Sequence, residues 1–219
     1  MQKSRRTGGN HRRATPTPSQ RTALTEFDIH AACYVGNTAE VRRLLSQDQS
    51  DINRVGGLWG LTPVLTAALQ GHRDMVELLV SRGADVSLVD VYGDNILHWA
   101  SEGGGRETVE FVLSLDGVDV NSRGGGGWTP VMRAARGGHR DVVELLVSRG
   151  ADVSLVDDDG DNILHLACYE GDGTTVEFVL SLDAVDVNAR NSDGQTAADV
   201  ASVRGHRQLS DLLVSRGTQ

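Results

Sequence analysis

Histidine is the most regularly spaced reactive side chain in this 219-residue sequence, and its spacing raises the question of a metal site. Two sets of histidines recur at intervals of 67 or 68 residues, namely His30, His98 and His165, and His72, His139 and His206. Neutral imidazole nitrogens bind zinc and other transition metals, so such a series could form a metal array. Imidazole also combines one donor and one acceptor, which suits a structural hydrogen bond in a turn. The regular placement favours the structural role, and we predict no metal site and no cofactor.

The other residue types that support catalysis lack suitable neighbours. Cys33 and Cys168 each lie among small apolar residues, which favours a packing role over a reactive thiol. The glycine-rich segments at 103–108 and 123–128 lack the lysine and the strand-to-helix setting of a phosphate-binding loop. We find no nucleophile–base pair and no paired carboxylates at workable spacing. The sequence therefore predicts no catalytic residue and no enzyme activity, so function is expected on the surface.

The elements that position these residues come from an internal repeat. Residues 71–98 match residues 138–165 at 25 of 28 positions, and residues 109–121 match residues 176–188 at 12 of 13, always with an offset of 67. A shorter period lies inside this unit, because a glycine closes an alanine-containing apolar stretch every 33 to 35 residues. These glycines are Gly36, Gly71, Gly104, Gly138, Gly171 and Gly205. Periods of this size are typical of stacked-repeat proteins.

Local signals predict two helices in each short repeat. Thr62 suits an N-cap and Pro63 suits the first helical position, so a short helix begins there and ends at Gly71, which can adopt a left-handed conformation. Residues 72–82 carry a broad apolar face and predict a second helix. Residues 84–94 favour a projecting loop or a short hairpin. Neither helix is long enough to be stable alone, so the repeats must stack.

These segments resemble the ankyrin repeat, whose pattern is approximately DxxGxTPLHxAAxxGHxxVVxxLLxxGADVN. The resemblance is carried by GLTPVLTAALQGHRDMVELLVSRGADVS, by GWTPVMRAARGGHRDVVELLVSRGADVS, and by the GDNILH segments with their VEFVLSLD partners. It implies an all-α solenoid of paired antiparallel helices with projecting β-hairpin-like loops, stacked as a single domain over residues 22–219. Six repeats are predicted, with polar first and last repeats as caps, at approximately 22–56, 57–89, 90–123, 124–156, 157–190 and 191–219.

The resemblance also implies where a partner binds. Ankyrin-repeat proteins commonly bind other proteins through a concave surface of loop tips and first helices, so we expect a non-catalytic scaffold, adaptor or stoichiometric inhibitor. Five of the six Trp and Tyr residues map to that surface, and only Trp99 falls in a packing position. Such side chains often carry interface energy, although single exposed aromatics are also ordinary. The predicted partner-binding residues are Tyr34, Leu58, Trp59, Leu61, Tyr92, Asp94, Glu102, Trp128, Arg136, Asp159, Asp161, Tyr169 and Glu170.

Charge divides the chain into two parts. Residues 1–21 hold six basic residues and no acid, which leaves 15 basic and 30 acidic residues in the other 198 and a net charge of −15 there. We expect residues 1–21 to be a disordered basic leader. The acidic half nearer the C-terminus, beside a more apolar half, predicts a protein partner with a basic segment and a hydrophobic anchor. The alternative is a nuclear or nucleic-acid-associated regulatory factor that uses the leader, but the acidic body makes nucleic acid an unfavourable ligand for the folded part.

Two kinds of modification and a location are also expected. Thr15 and Thr17 precede prolines near two arginines, so phosphorylation there would cancel positive charge. Asn53, Asn121 and Asn188 end their repeats in a pattern that resembles the one modified by asparaginyl hydroxylases. No apolar run approaches membrane-spanning length, and the first residues lack a secretory signal. We therefore expect a cytoplasmic or nuclear monomer without membrane association.

Overall fold

The fold is a series of helix pairs. The computed structural model describes residues 28–57 and 59–217, so the predicted leader, Thr15, Thr17 and Leu58 lie outside the described residues. Twelve α-helices form six consecutive pairs within those ranges. They are α1 (Ile29–Tyr34) with α2 (Thr38–Gln47), α3 (Pro63–Leu69) with α4 (Arg73–Ser81), α5 (Ile96–Glu102) with α6 (Arg106–Leu113), α7 (Pro130–Arg136) with α8 (Arg140–Ser148), α9 (Ile163–Ala167) with α10 (Gly173–Leu180), and α11 (Ala197–Val203) with α12 (Arg207–Gly217).

The connecting loops contain little regular structure. Short 3₁₀ segments occur at Gln49–Asn53 and Gly125–Gly127. Isolated antiparallel bridges join Gly56 to Leu61 and Val156 to Asn162, and the described ranges contain no β-sheet. The predicted all-α repeat structure of paired helices is confirmed. The predicted repeat boundaries stay a prediction.

The helix ends follow the local signals. The Thr62 Oγ1 accepts a hydrogen bond from the Leu65 N–H at 3.4 Å, and Pro63 is the first residue of α3. Gly71 follows the end of α3 with a φ of +69°. The second helix, α4, is one residue shorter than predicted at each end because His72 and Arg82 are its caps. The capping predictions for this repeat are confirmed.

Small side chains allow the first helices to approach closely. The helices α1, α3, α5, α7, α9 and α11 pack in one row, and α2, α4, α6, α8 and α10 pack in a second row. A Cβ added to Gly103 at the end of α5 would overlap the Leu69 carbonyl oxygen of α3. Cys33 and Cys168 are fully buried in the first row, and burial raises the pKa of each thiol to about 12. The packing role predicted for both cysteines is confirmed.

Five histidines join neighbouring helix pairs through hydrogen bonds from Nε2 to a backbone carbonyl. The bonds run from His72 to Tyr34 at 3.1 Å, from His139 to Glu102 at 2.9 Å, from His206 to Tyr169 at 3.2 Å, from His98 to Trp128 at 3.0 Å and from His165 to Gln195 at 3.1 Å. Because a carbonyl oxygen only accepts, Nε2 carries the proton in each ring. The structural role is confirmed for these five. His30 differs, since its buried Nε2 has no hydrogen-bond partner among the described residues.

The buried His98 predicts a pH-dependent stability. Burial lowers the pKa of His98 below its ordinary value of 6.5, so on acidification this ring binds a proton in the unfolded chain before it does so in the folded chain. Acidification through 6.5 therefore favours the unfolded state, and stability present above that pH is lost below it. We expect the free energy of unfolding, measured by urea titration, to fall by up to about 1 kcal/mol for this histidine from about pH 7.5 to about pH 6.

The matched variant is His98→Gln, whose amide can still donate to the Trp128 carbonyl but does not titrate. It should be less stable at every pH and should show a shallower pH dependence than the parent protein. An identical pH dependence in the two proteins would contradict the assignment of a neutral, buried His98.

Candidate partner-binding site

The residues predicted to bind a partner differ in exposure. Tyr34, Trp59 and Tyr92 are large and open to solvent, with 59%, 49% and 62% of their surface accessible. Asp159 and Glu170 are also exposed. The partly buried members are Glu102, Trp128, Arg136, Asp161 and Tyr169. Tyr34, Trp59, Tyr92, Asp159 and Glu170 are thus the predicted residues with the most accessible side chains in the described ranges.

The expected exposure is wrong for Leu61 and Asp94. Leu61 is 8% exposed and joins the hydrophobic core, because the bond from the Gly56 N–H to its carbonyl at 2.9 Å holds it directly before the α3 cap. Asp94 is 1% exposed, and its carboxylate accepts hydrogen bonds from the Arg133 guanidinium at 2.6 Å and the Gly125 N–H at 3.3 Å. Burial raises the pKa of Asp94, and Arg133 opposes that shift. Leu61 therefore packs in the core, and the Asp94 carboxylate is held by Arg133 and Gly125.

A concavity of about 390 Å³ opens between the loop tips and the helices α5 and α7, and we name it the aromatic cleft. Its lining consists of Trp59, Tyr92, Asp94, Trp99, Glu102, Gly125, Gly126, Arg133 and Arg136. The rings of Trp59 and Trp99 stack, with centroids 5.7 Å apart and planes 19° apart. Trp99 is 9% exposed, so it packs as predicted, yet it also forms a wall of the cleft. Sequence reasoning missed that second role.

Arginine side chains cover two of the predicted aromatic anchors. The Arg133 guanidinium lies 4.7 Å from the Trp128 ring centroid, and Arg136 lies between Trp128 at 5.4 Å and Tyr169 at 5.1 Å. Arg204 lies 3.4 Å from the Tyr169 centroid. Such cation–π contacts fix the arginines and occupy ring faces. Trp128 and Tyr169 therefore present less free ring surface than Trp59 and Tyr92.

A second concavity, the acidic cleft, lies further along the same row between α9 and α11. It has a volume of about 300 Å³ and is lined by Asp159, Asp161, Tyr169, Asn191, Ser192, Asp193, Gln195, Val200, Val203 and Arg204. Asp161 accepts a hydrogen bond from the Asn191 amide at 2.8 Å. The Asp159 and Asp193 side chains form no ion pair within the described part of the chain.

The two clefts occupy the same place in the 67-residue repeat. Seven residues of the aromatic cleft, Tyr92, Asp94, Glu102, Gly125, Gly126, Arg133 and Arg136, have as their equivalents Asp159, Asp161, Tyr169, Ser192, Asp193, Val200 and Val203, which all line the acidic cleft. The repeat therefore retains the concavity and changes the side chains around it.

The asparagines proposed for modification make contacts between neighbouring repeats. The side-chain oxygens of Asn53 and Asn121 accept hydrogen bonds from the N–H groups of Asp85 at 2.9 Å and Asp152 at 2.8 Å. The Asn188 amide donates to the Gly217 carbonyl at 3.1 Å. These bonds give each asparagine a structural role, and its modification stays a prediction.

Comparison with known families agrees with the helix pairs and the repeat period. A family model described as ankyrin repeats (3 copies) matches residues 29–124, 88–157 and 131–219. The chain belongs to the ankyrin-repeat family. Ankyrin repeats are themselves non-catalytic and generally mediate protein–protein interaction. None of the described helices combines the length and the apolar content needed to cross a membrane.

Ankyrin-repeat proteins similar to this chain carry diverse names. This chain is 30% identical over 194 residues to the B-cell lymphoma 3 protein homolog of Mus musculus. The alignment covers 86% of this chain and 43% of that protein. This chain is 32% identical over 144 residues to the probable 26S proteasome regulatory subunit p28 of Saccharomyces cerevisiae. The alignment covers 65% of this chain and 63% of that protein. This chain is 33% identical over 156 residues to palmitoyltransferase AKR1 of Lachancea kluyveri. The alignment covers 68% of this chain and 21% of that protein. The chain spans less than two thirds of each relative.

The buried ion pair of the aromatic cleft predicts a large difference between two substitutions. Asp94→Ala removes the 2.6 Å partner of the Arg133 guanidinium, which has 18% side-chain exposure and is left with a 3.7 Å contact to Glu102. Loss of one member of a buried pair costs about 3 kcal/mol or more. We expect urea titration to show a loss of that size in the free energy of unfolding.

The control is Glu110→Ala, which breaks the exposed 3.0 Å pair between Glu110 and Arg149. Exposed pairs contribute about 1 kcal/mol or less, so this variant should be nearly as stable as the parent. Equal small losses in the two variants would contradict a structural role for the Asp94–Arg133 pair.

Proposed function

We propose that this ankyrin-repeat chain is a non-catalytic binding module that holds another protein on its concave surface, the side formed by the loop tips and the first helices. Scaffold, adaptor and stoichiometric inhibitor are all roles that such binding serves. The observation that carries the proposal is the open aromatic surface of Trp59 and Tyr92 at the mouth of the aromatic cleft. Aromatic side chains with a polar group are enriched among residues that dominate interface energy.

The fixed geometry of the surface supports this function. Five histidine bonds tie loops or turns to a neighbouring repeat. The Asp94–Arg133 pair, together with stacking on Trp128, holds one wall of the aromatic cleft. A surface that is ordered before binding loses little conformational entropy when a partner arrives. The free energy gained from a few aromatic contacts then contributes to affinity and does not have to offset a large loss of conformational entropy.

Charge supports a protein ligand over a nucleic acid. Residues 22–219 carry 15 basic and 30 acidic residues, so the repeat region repels a phosphate backbone. The exposed acids of the acidic cleft, Asp159 and Asp193, attract basic side chains instead. A protein with a basic segment and a hydrophobic anchor is the partner that these features favour.

The test compares the full-length protein with two variants as baits in native lysate, followed by affinity measurement with each purified partner. The double variant Trp59→Ala, Tyr92→Ala removes the exposed aromatic surface. The control Val214→Ala alters a residue of α12 that is 55% exposed and lines neither cleft. We expect the double variant to weaken binding by about 30-fold or more and the control to leave it unchanged.

Circular dichroism and urea titration of both variants separate loss of binding from loss of folding. A partner that binds the folded double variant as tightly as the parent would contradict the proposed use of the concave surface.

A further inference from the structure

The two copies of the 67-residue unit are nearly identical in one segment, so the few positions at which they differ there are informative about function. Residues 71–98 and 138–165 differ at three positions, and two of those are adjacent at the loop tip, where Tyr92 has Asp159 as its equivalent. Both of these residues line a cleft. Of the three differences, the one between Tyr92 and Asp159 falls at a cleft-lining position, and it replaces a neutral aromatic side chain with an acidic one, so the two clefts differ in chemistry at an equivalent place.

The aromatic cleft is suited to an uncharged side chain. Its stacked indole pair is absent from the acidic cleft, because the equivalent of Trp99 is Leu166 and the equivalent of Trp59 is Gly126. The two rings stack on each other, with centroids 5.7 Å apart, so they leave no space between them for a cation and offer apolar ring surface to the cleft.

The charges around the indole pair lead to the same conclusion. Arg133 is paired with Asp94 at 2.6 Å, and Arg136 is paired with Glu102 at 3.5 Å. The two carboxylates and the two guanidinium groups thus balance each other, and the cleft has no net charge to attract a positively charged ligand. An aromatic or large aliphatic side chain gains most from this cleft, since it covers apolar ring surface without breaking either pair.

The acidic cleft has the opposite chemistry at the same register. The equivalents of Arg133 and Arg136 are Val200 and Val203, so those two cations are missing, and Arg204, which also lines this cleft, lies over the Tyr169 ring. Asp159 and Asp193 have no ion-pair partner in the described ranges, and their carboxylates stay available to a positive ligand. A partner that binds in the aromatic cleft and extends along the row of first helices contacts negative charge in the acidic cleft.

We propose, resting on the protein-binding function above, that the partner is an extended polypeptide with two linked features. One large uncharged side chain enters the aromatic cleft, and one lysine or arginine lies against Asp159 and Asp193. The clefts lie between α5 and α7 and between α9 and α11, two helix positions apart. Packed helices are separated by about 8–10 Å, so the two features are about 16–20 Å apart. An extended chain covers this distance in about five or six residues.

The experiment selects peptides from a phage-displayed library of random dodecapeptides on the immobilised full-length protein. We expect the selected sequences to pair an aromatic or large aliphatic residue with a lysine or arginine about five or six positions away. Synthetic versions of these peptides are then measured by fluorescence anisotropy. Trp59→Ala should weaken their binding by about tenfold or more, and Val214→Ala should not change it.

A further test replaces residues of one cleft with the residues found at the equivalent positions of the other cleft, which the same repeat fold already accommodates. The variant Tyr92→Asp, Trp99→Leu gives two positions of the aromatic cleft the side chains of their equivalents, and should lose the peptide anchor with a drop in affinity of about tenfold or more. Asp159→Asn with Asp193→Asn should weaken binding by about fivefold at low salt and reduce the salt dependence of the affinity.

The outcomes separate this proposal from the proposed function. Selected peptides that lack a basic residue at the stated distance, or that bind the exchange variant normally, would overturn the two-cleft proposal. If those peptides still depend on other concave residues such as Tyr34, the general binding function stands. Failure to select any related sequences would also overturn the two-cleft proposal.

Discussion

The structure depends on close packing between first helices that are too short to fold alone. The helices α1, α3, α5, α7, α9 and α11 have between five and seven residues, well below the length at which an isolated helix is stable in water. Each one is ordered by its neighbours, through small residues such as Ala67 and Gly103 and through histidine bonds that reach the next repeat. The two clefts between these helices are therefore a consequence of stacking.

This constraint also explains where the sequence can vary. Residues inside the rows are limited by volume, because interiors are close-packed and small changes in side-chain size are costly. Loop tips and the open sides of the first helices carry no such limit. The duplicated unit keeps its core and exchanges Tyr92 for Asp159 and Arg133 for Val200, which converts one concavity from aromatic to acidic. A repeat architecture can thus produce two chemically distinct clefts from one backbone.

Sequence was sufficient for features that depend on neighbours along the chain. The Thr62–Pro63 start of α3, the left-handed Gly71 and the two-helix unit all follow from local signals, and the period predicted stacking. The sequence alone did not predict contacts between residues that are far apart along the chain. Asp94 is held by Arg133, 39 residues later, which reaches its carboxylate. The Trp59–Trp99 stack likewise forms between different repeats, so position within one repeat could not reveal it.

Hydroxyl-radical footprinting of the full-length protein with and without its bound partner tests the central claim most directly. The measurement compares side-chain oxidation rates at the aromatic cleft with rates on α12. The account predicts strong protection of Trp59 and Tyr92 in the complex and an unchanged rate at Val214, which lies away from both clefts. Protection confined to the second helices, with the cleft aromatics as reactive as in the free protein, would contradict it.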